Sequence, residues 1–148
     1  MRGESWTDLS QQDSTNVWMT SNQNITPISM KLWNMWDSNA RHTSWADLTE
    51  EAQRILDRIS LAAMSPESKI TVTGHTDDVP LIFGGQYRDN WDLAAARASS
   101  VVQELSKSGT IPSDKLRAIS FGETKPIEQN DTKQGREKNR RIEIEIKY

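Results

Sequence analysis

Arg141-Ile142-Glu143-Ile144-Glu145-Ile146-Lys147 places isoleucine at every second position, with Glu or Lys between. That period of two belongs to a β-strand with one buried and one wet face. A half-buried strand needs apolar partners over its isoleucines, and the residues upstream supply them. The same alternation recurs from Ile28, where Ile28, Met30 and Leu32 share one face and Ser29 and Lys31 the other, so a first strand runs toward Trp36. Pro27 sits at its start, where a missing N–H is tolerated. Ile70-Thr71-Val72-Thr73 forms a short strand ending at Gly74, and residues 116 to 121 form another.

Between the strands the period changes. Thr49 can cap a helix whose first turn holds Glu50 and Glu51 at the positive end of its dipole. Ala52, Ile55, Leu56, Ile59 and Ala63 then fall on one stripe, so one face packs inward. After a polar loop with Pro80, Gly84 and Gly85, Asn90 is expected to cap a second helix that stops at Gly109. A polar loop with a short helix precedes the final strand. Strands interleaved with amphipathic helices bury their faces best as a helical layer on a sheet, and the final strand makes that sheet mixed.

The chain has 148 residues, 34% hydrophobic and 26% charged, with 18 basic and 21 acidic side chains for a net charge of −3. This is the size of one domain. Its net negative charge argues against a nucleic-acid partner, whose binding rests on neutralising phosphates. No cysteine is present, which excludes disulfides, thiolate catalysis and Cys-ligated metal. No apolar run reaches the ~18 residues of a membrane span. Residues 1–24 hold thirteen Ser, Thr, Asn or Gln without periodicity and read as an irregular polar leader or linker, with the domain proper over 25–148. Trp6 and Trp18 are the two residues there that argue for docking onto the domain. Trp33, Trp36 and Trp45 fall in the first strand and the turn after it, as core or pocket wall.

The densest polar cluster is Gly74-His75-Thr76-Asp77-Asp78-Val79-Pro80, at the end of a strand. Asn90, Leu93 and Arg97, spaced i, i+3, i+7, share one face of the second helix. If that strand and helix pack side by side, Asp77 offers an acceptor for a cation and Arg97 a fork-shaped donor for a carboxylate, a pair suited to a zwitterion. Two plainer readings stand beside it: Asp77 and Arg97 bridge each other, or Asp77 caps its own turn. His75, Asp77, Asp78 and His42 do not make the spaced ligand set a metal requires, and no serine or cysteine is placed as a nucleophile, so neither a metal site nor a catalytic residue is expected. Residues 131 to 141 carry five basic and two acidic side chains, and Asn139-Arg140-Arg141 leads straight into the last strand, near Asp77 if the two strands are neighbours.

Four ordered blocks resemble the OmpA-like peptidoglycan-binding domain: Gly74-His75-Thr76-Asp77-Asp78-Val79-Pro80, Asn90-Trp91-Asp92-Leu93-Ala94-Ala95-Ala96-Arg97, Gly122-Glu123 with Pro126-Ile127 and Asn130, and Gly135 to Glu143. The Asp-Asp-Val-Pro and Asn-Trp-Asp-Leu details are most similar to the MotB branch, found in flagellar stators. The resemblance implies an α+β fold, an OmpA-like α/β sandwich with a mixed four-stranded sheet and two main helices packed on one face. It implies non-catalytic, cofactor-free binding of the peptidoglycan stem peptide, with Asp77 holding the amino group of diaminopimelate and Arg97 its carboxylate. Thr76, Asn90, Leu93 and Arg140 would complete the pocket, with Arg136 and Asn139 shaping it. It also implies a periplasmic domain and a native protein anchored in the inner membrane through an N-terminal transmembrane segment outside this sequence, or else anchored some other way; a homodimer is expected because a single contact binds weakly. The alternative function is a structural or regulatory dimerisation module of a stator or type VI secretion complex, with the N-terminal segment controlling assembly. In the first family block a Phe-centred strand usually leads into a Gly-containing turn, where this chain has the bulkier Trp33-Asn34-Met35-Trp36.

Overall fold

The structure, a computed structural model, describes residues 4–8, 16–22, 25–36, 48–63, 67–81, 85–107 and 111–147. In chain order the elements are β1 (Glu4–Asp8), β2 (Asn16–Asn22), β3 (Ile25–Trp33), α1 (Glu50–Ala62), β4 (Lys69–His75), α2 (Asn90–Ser106), a 3-10 turn (Ser113–Lys115), β5 (Leu116–Gly122), α3 (Lys133–Asn139) and β6 (Arg141–Lys147). The strands form one sheet in the order β1-β2-β3-β6-β4-β5. Only β4 and β5 run parallel; each of the other pairs is antiparallel. The expected mixed four-stranded sheet is the β3-β6-β4-β5 part.

Ile142, Ile144 and Ile146 of β6 are all buried and meet Met30 and Leu32 of β3, Ile70 and Val72 of β4, Ala52, Ile55, Leu56 and Ile59 of α1, and Ala98, Val101 and Leu105 of α2 in one cluster. Both long helices therefore cover the same face of the sheet. The partly exposed residues of β6, Glu143 and Glu145, pair across the other face with Lys31 and Ser29 of β3 and with Thr73 and Thr71 of β4. β6 lies between β3 and β4, so each of its isoleucines touches neighbours on both sides. At 0% to 3% exposure each is worth roughly 2 kcal/mol of burial.

Three expectations are corrected. The stretch read as an irregular leader carries two strands: β1 pairs with β2, with Trp6 opposite Thr20, and β2 pairs with β3, with Trp18 opposite Lys31. The sheet thus has six strands, extended by a hairpin along the edge of β3. Pro27 is not at a strand start. Ser21 pairs with Ile28 while Asn22 pairs with Ile25, so Thr26 and Pro27 fall in an irregularity where the missing proline N–H interrupts no ladder. Asp89, not Asn90, caps α2, its side chain accepting from the Asp92 N–H at 2.8 Å, because the Asn90 amide is engaged elsewhere. Thr49 does cap α1, accepting from the Ala52 N–H, and the short helix expected before the last strand is α3. Gly109, His42 and Trp45 lie outside the described residues.

Two local features place the helices. A Cβ on Gly74 would stand 2.2 Å from the Ala94 carbonyl oxygen, so the absent side chain is what lets α2 lie directly on β4. After β3, Asn34 turns the chain at φ 59°, a conformation Asn tolerates better than most residues. The turn brings Trp36 into a bridge with Leu48, and the Thr49 N–H donates to the Met35 carbonyl at 2.9 Å.

Candidate functional site

Because β4 and β6 are antiparallel with His75 opposite Arg141, the residues just beyond β4 and just before β6 emerge at one edge of the sheet. Thr76 is fixed first: its N–H donates to the Gly122 carbonyl at the end of β5, and its hydroxyl donates to the Asp77 carbonyl at 2.8 Å. The Asp77 carboxylate then has two partners. Oδ1 accepts from the Val79 N–H at 3.1 Å, capping its own turn, and Oδ2 forms an ion pair with Arg140 at 2.6 Å. Asp77 retains 11% side-chain exposure and Arg140 41%.

The second helix holds this loop from the other side. The Asn90 amide nitrogen donates to both the Asp77 and Val79 carbonyls, at 3.3 and 3.1 Å. Leu93, one turn along, is 4% exposed. Arg97, two turns along, lays its guanidinium over the Trp36 ring at 4.7 Å, a cation–π contact. Burial, and next the positive charge of Arg140, lower its pKa to about 10, while Asp77 acts in the opposite sense. One carboxylate and two guanidinium groups thus share a single field. Thr76, Asn90 and Arg140 each bond to Asp77, and the charges of Asp77 and Arg140 both act on Arg97. The turn-capping reading of Asp77 holds, and the ion pair it makes is with Arg140.

Behind Arg140 lies a buried amide. Asn139, 0% exposed, accepts from the N–H groups of Ile127 and Glu128 at 2.8 and 3.0 Å. Its own nitrogen donates to the Glu128 carbonyl and to Asn130 Oδ1. Arg136 donates to the Asn130 carbonyl. The loop over residues 127–130 is therefore stapled to α3. Trp33 ties β3 to the same helix, donating from Nε1 to the Lys138 carbonyl at 2.9 Å, with the Lys138 ammonium 4.8 Å over its ring. The bulky first block is pocket scaffolding: Trp33 braces α3 and Trp36 supports Arg97.

His75 does not join the site. Its ring stacks on Phe121 on the sheet face away from the helices, with Nε2 3.5 Å from a Glu143 oxygen that Arg141 already holds at 2.6 Å. Burial, then the Arg141 charge, lower its pKa to about 4, so at neutral pH the contact with Glu143 is not an ion pair. Among the described residues no three His, Asp or Glu side chains converge as a metal site requires. No described helix is long and apolar enough to cross a membrane.

Three exposed apolar residues around this edge, Val79, Trp91 and Ile127, fall inside the motif blocks but were given no role by sequence reasoning. Nothing in periodicity marks them, because each sits in or beside a loop.

Comparison with known proteins identifies the family and the fold. Residues 43–140 match the OmpA family. The chain is 36% identical over 105 residues to the uncharacterized protein YtxE of Bacillus subtilis (strain 168), covering 71% of this chain and 43% of that protein. It is 32% identical over 97 residues to the peptidoglycan-binding protein ArfA of Mycobacterium tuberculosis, covering 66% and 27%. The chain thus spans less than half the length of these curated relatives. Among solved structures, the periplasmic domain of Helicobacter pylori MotB superposes with a TM-score of 0.75 at 27% identity, covering 99% of this chain and 88% of that one.

Proposed function

Because the chain belongs to the OmpA family, we propose that it binds the stem peptide of peptidoglycan without catalysis and anchors a complex to the cell wall. The observation that carries this reading is the composition of the site: Asp77 is paired with Arg140, and Arg97 is near enough for the charges of both to act on it, two guanidinium groups to one carboxylate. A carboxylate offers about four lone-pair positions, and two of those on Asp77 are occupied by Val79 and Arg140. The remaining positions suit an ammonium group, and the excess positive charge suits a carboxylate close to it. An amino acid whose side chain carries both groups, diaminopimelate in the stem peptide, fits that charge pattern.

The site lies in the cell envelope on this reading, in the periplasm, and the complex it holds is a MotB-like stator anchored in the inner membrane by residues outside this sequence. One diaminopimelate contact binds weakly, so firm anchoring calls for several copies on one lattice, which a homodimer supplies at high effective concentration. The test is co-sedimentation with purified peptidoglycan. Asp77→Asn and Arg97→Ala are each expected to leave the protein in the supernatant while circular dichroism stays native, and light scattering of the unmodified chain is expected to give twice the monomer mass. If both variants still pellet with the wall, the site assignment is wrong.

A further inference from the structure

Among the described residues four large hydrophobic side chains are exposed: Leu61, Val79, Trp91 and Ile127. Single exposed apolar residues need no explanation. Three of these four, however, surround the Asp77 site. The N–H of Val79 is held by Asp77 and its carbonyl by Asn90; Trp91 follows Asn90; the N–H of Ile127 is held by Asn139, next to Arg140. Leu61 alone stands apart, on α1. Apolar walls around a few convergent polar anchors are the usual make-up of a ligand site.

Trp91 differs from the other two in being both exposed and fixed. At 45% exposure its ring lies against Gly122, where a Cβ would come 3.2 Å from Cγ and Cδ2. Gly122 also has φ +54°, a backbone conformation that glycine adopts without strain. The Ser120 hydroxyl donates to the Trp91 carbonyl at 2.8 Å, and the Gly122 carbonyl receives the Thr76 N–H, one residue from Asp77. One part of the indole is therefore seated on the end of β5, whose last carbonyl holds the Thr76 N–H, and the rest faces solvent. The neighbouring polar groups are already partnered: Asp92 accepts from the Arg88 N–H at 3.0 Å.

We infer that Trp91 is a saccharide-stacking residue, holding a pyranose ring of the glycan strand while the Asp77 site holds the peptide branching from it. A pyranose presents a face of C–H groups that suits a flat aromatic ring with one side open to solvent. The stem peptide joins the sugar within a few residues, on the order of 10 Å of extended chain, so a peptide seated at Asp77 brings its sugar to the edge where Trp91 stands. The inference rests on the anchoring reading above and adds the glycan to it.

The experiment compares two soluble ligands by calorimetry: the free stem tetrapeptide, and the same tetrapeptide on its disaccharide. The unmodified protein is expected to bind the disaccharide form about fivefold more tightly, from the worth of one aromatic contact. Trp91→Ala is expected to reduce that ratio to about one and leave the affinity for the free peptide unchanged. As a check that does not depend on Ala being tolerated, the indole N–H resonance missing in Trp91→Phe is expected to shift with the disaccharide peptide and not with the free peptide. A ratio of one in the unmodified protein, a preference that survives Trp91→Ala, equal weakening of both ligands, or an indole signal that ignores the sugar each overturns the inference. If the free peptide binds and only the sugar preference is missing, the anchoring reading stands alone. If neither ligand binds, both fall.

Discussion

Lowering the pH from 7 toward 4 is expected to destabilise this domain through His75, and the size of the effect follows from its surroundings. The residue is 5% exposed. Its pKa falls from 6.5 to about 4 through burial first, then the positive charges of Arg141, Lys125 and Lys31, with Glu143 opposing them. Above pH 6.5 the ring is neutral in both the folded and the unfolded chain and contributes no pH dependence. Between 6.5 and 4 the unfolded chain takes up a proton that the folded chain refuses, so stability drops as the pH falls through that window and levels below it. At 1.36 kcal/mol per unit, the ceiling is about 3 kcal/mol, on the order of 10 °C in Tm. Neither ring nitrogen has a hydrogen-bond partner among the described residues. Replacement by an apolar ring of similar shape that keeps the stack on Phe121 therefore leaves no orphaned group. His75→Phe is expected to match or exceed the unmodified protein by up to about 1 kcal/mol at pH 7 and to show a much shallower decline toward pH 4. Urea unfolding of both proteins at half-unit pH steps reads the difference, from which other titrating groups cancel. Parallel curves from pH 6.5 to 4, or a His75→Phe variant clearly weaker at pH 7, would refute the reasoning.

Asn139→Ala deletes an amide with four partners at 2.8 to 3.0 Å and orphans two backbone N–H groups, so a loss of about 3 kcal/mol is expected. Hydrogen exchange at Ile127 and Glu128 should accelerate with it, and a loss below 1 kcal/mol in urea unfolding would mean that water replaces the amide. Gly74→Ala forces a methyl group to 2.2 Å from the Ala94 carbonyl oxygen. Because the obstacle is backbone, α2 must shift, at a cost of about 2 kcal/mol or more; an unchanged Tm would show that the helix does not rest on β4 as described.

The sheet and the helices that cover it were legible because burial there is one-sided. Ile142, Ile144 and Ile146, and the stripe from Ala52 to Ala63, each write their packed face into the spacing of the chain. β1 and β2 left no such pattern. They lie at the edge of β3, joined by backbone ladders, and a ladder requires only extended backbone, not an alternating side-chain code. The site was legible in its members and not in its pairings. Spacing on α2 put Arg97 opposite Asp77, yet the ion pair of Asp77 is made by Arg140, 63 positions along the chain. Only the sheet order, with β6 beside β4, brings those two residues together. Asn90 shows the same limit from the other side: local rules make it a cap, but two carbonyls from the preceding loop claim its amide and the cap passes to Asp89.

The order of these contacts bears on how the site would bind. Asp77 is held before any ligand arrives: its carbonyl by Thr76 and Asn90, one carboxylate oxygen by Val79, the other by Arg140. The elements that hold it are themselves fixed, α2 by its contact at Gly74 and the loop behind Arg140 by Asn139. Little conformational entropy is left to lose at Asp77 when a cation docks, so the modest energy of one charge-assisted contact is not spent on ordering it. Arg140, at 41% exposure, is the freer partner in the ion pair. On the proposed reading an ammonium takes the lone-pair positions that Val79 and Arg140 leave open on Asp77, while the guanidinium charge beside it receives the carboxylate. A ligand carrying only one of the two charges would use only half of this arrangement, so the proposal expects a zwitterionic group to bind in preference to a simple amine or a simple acid.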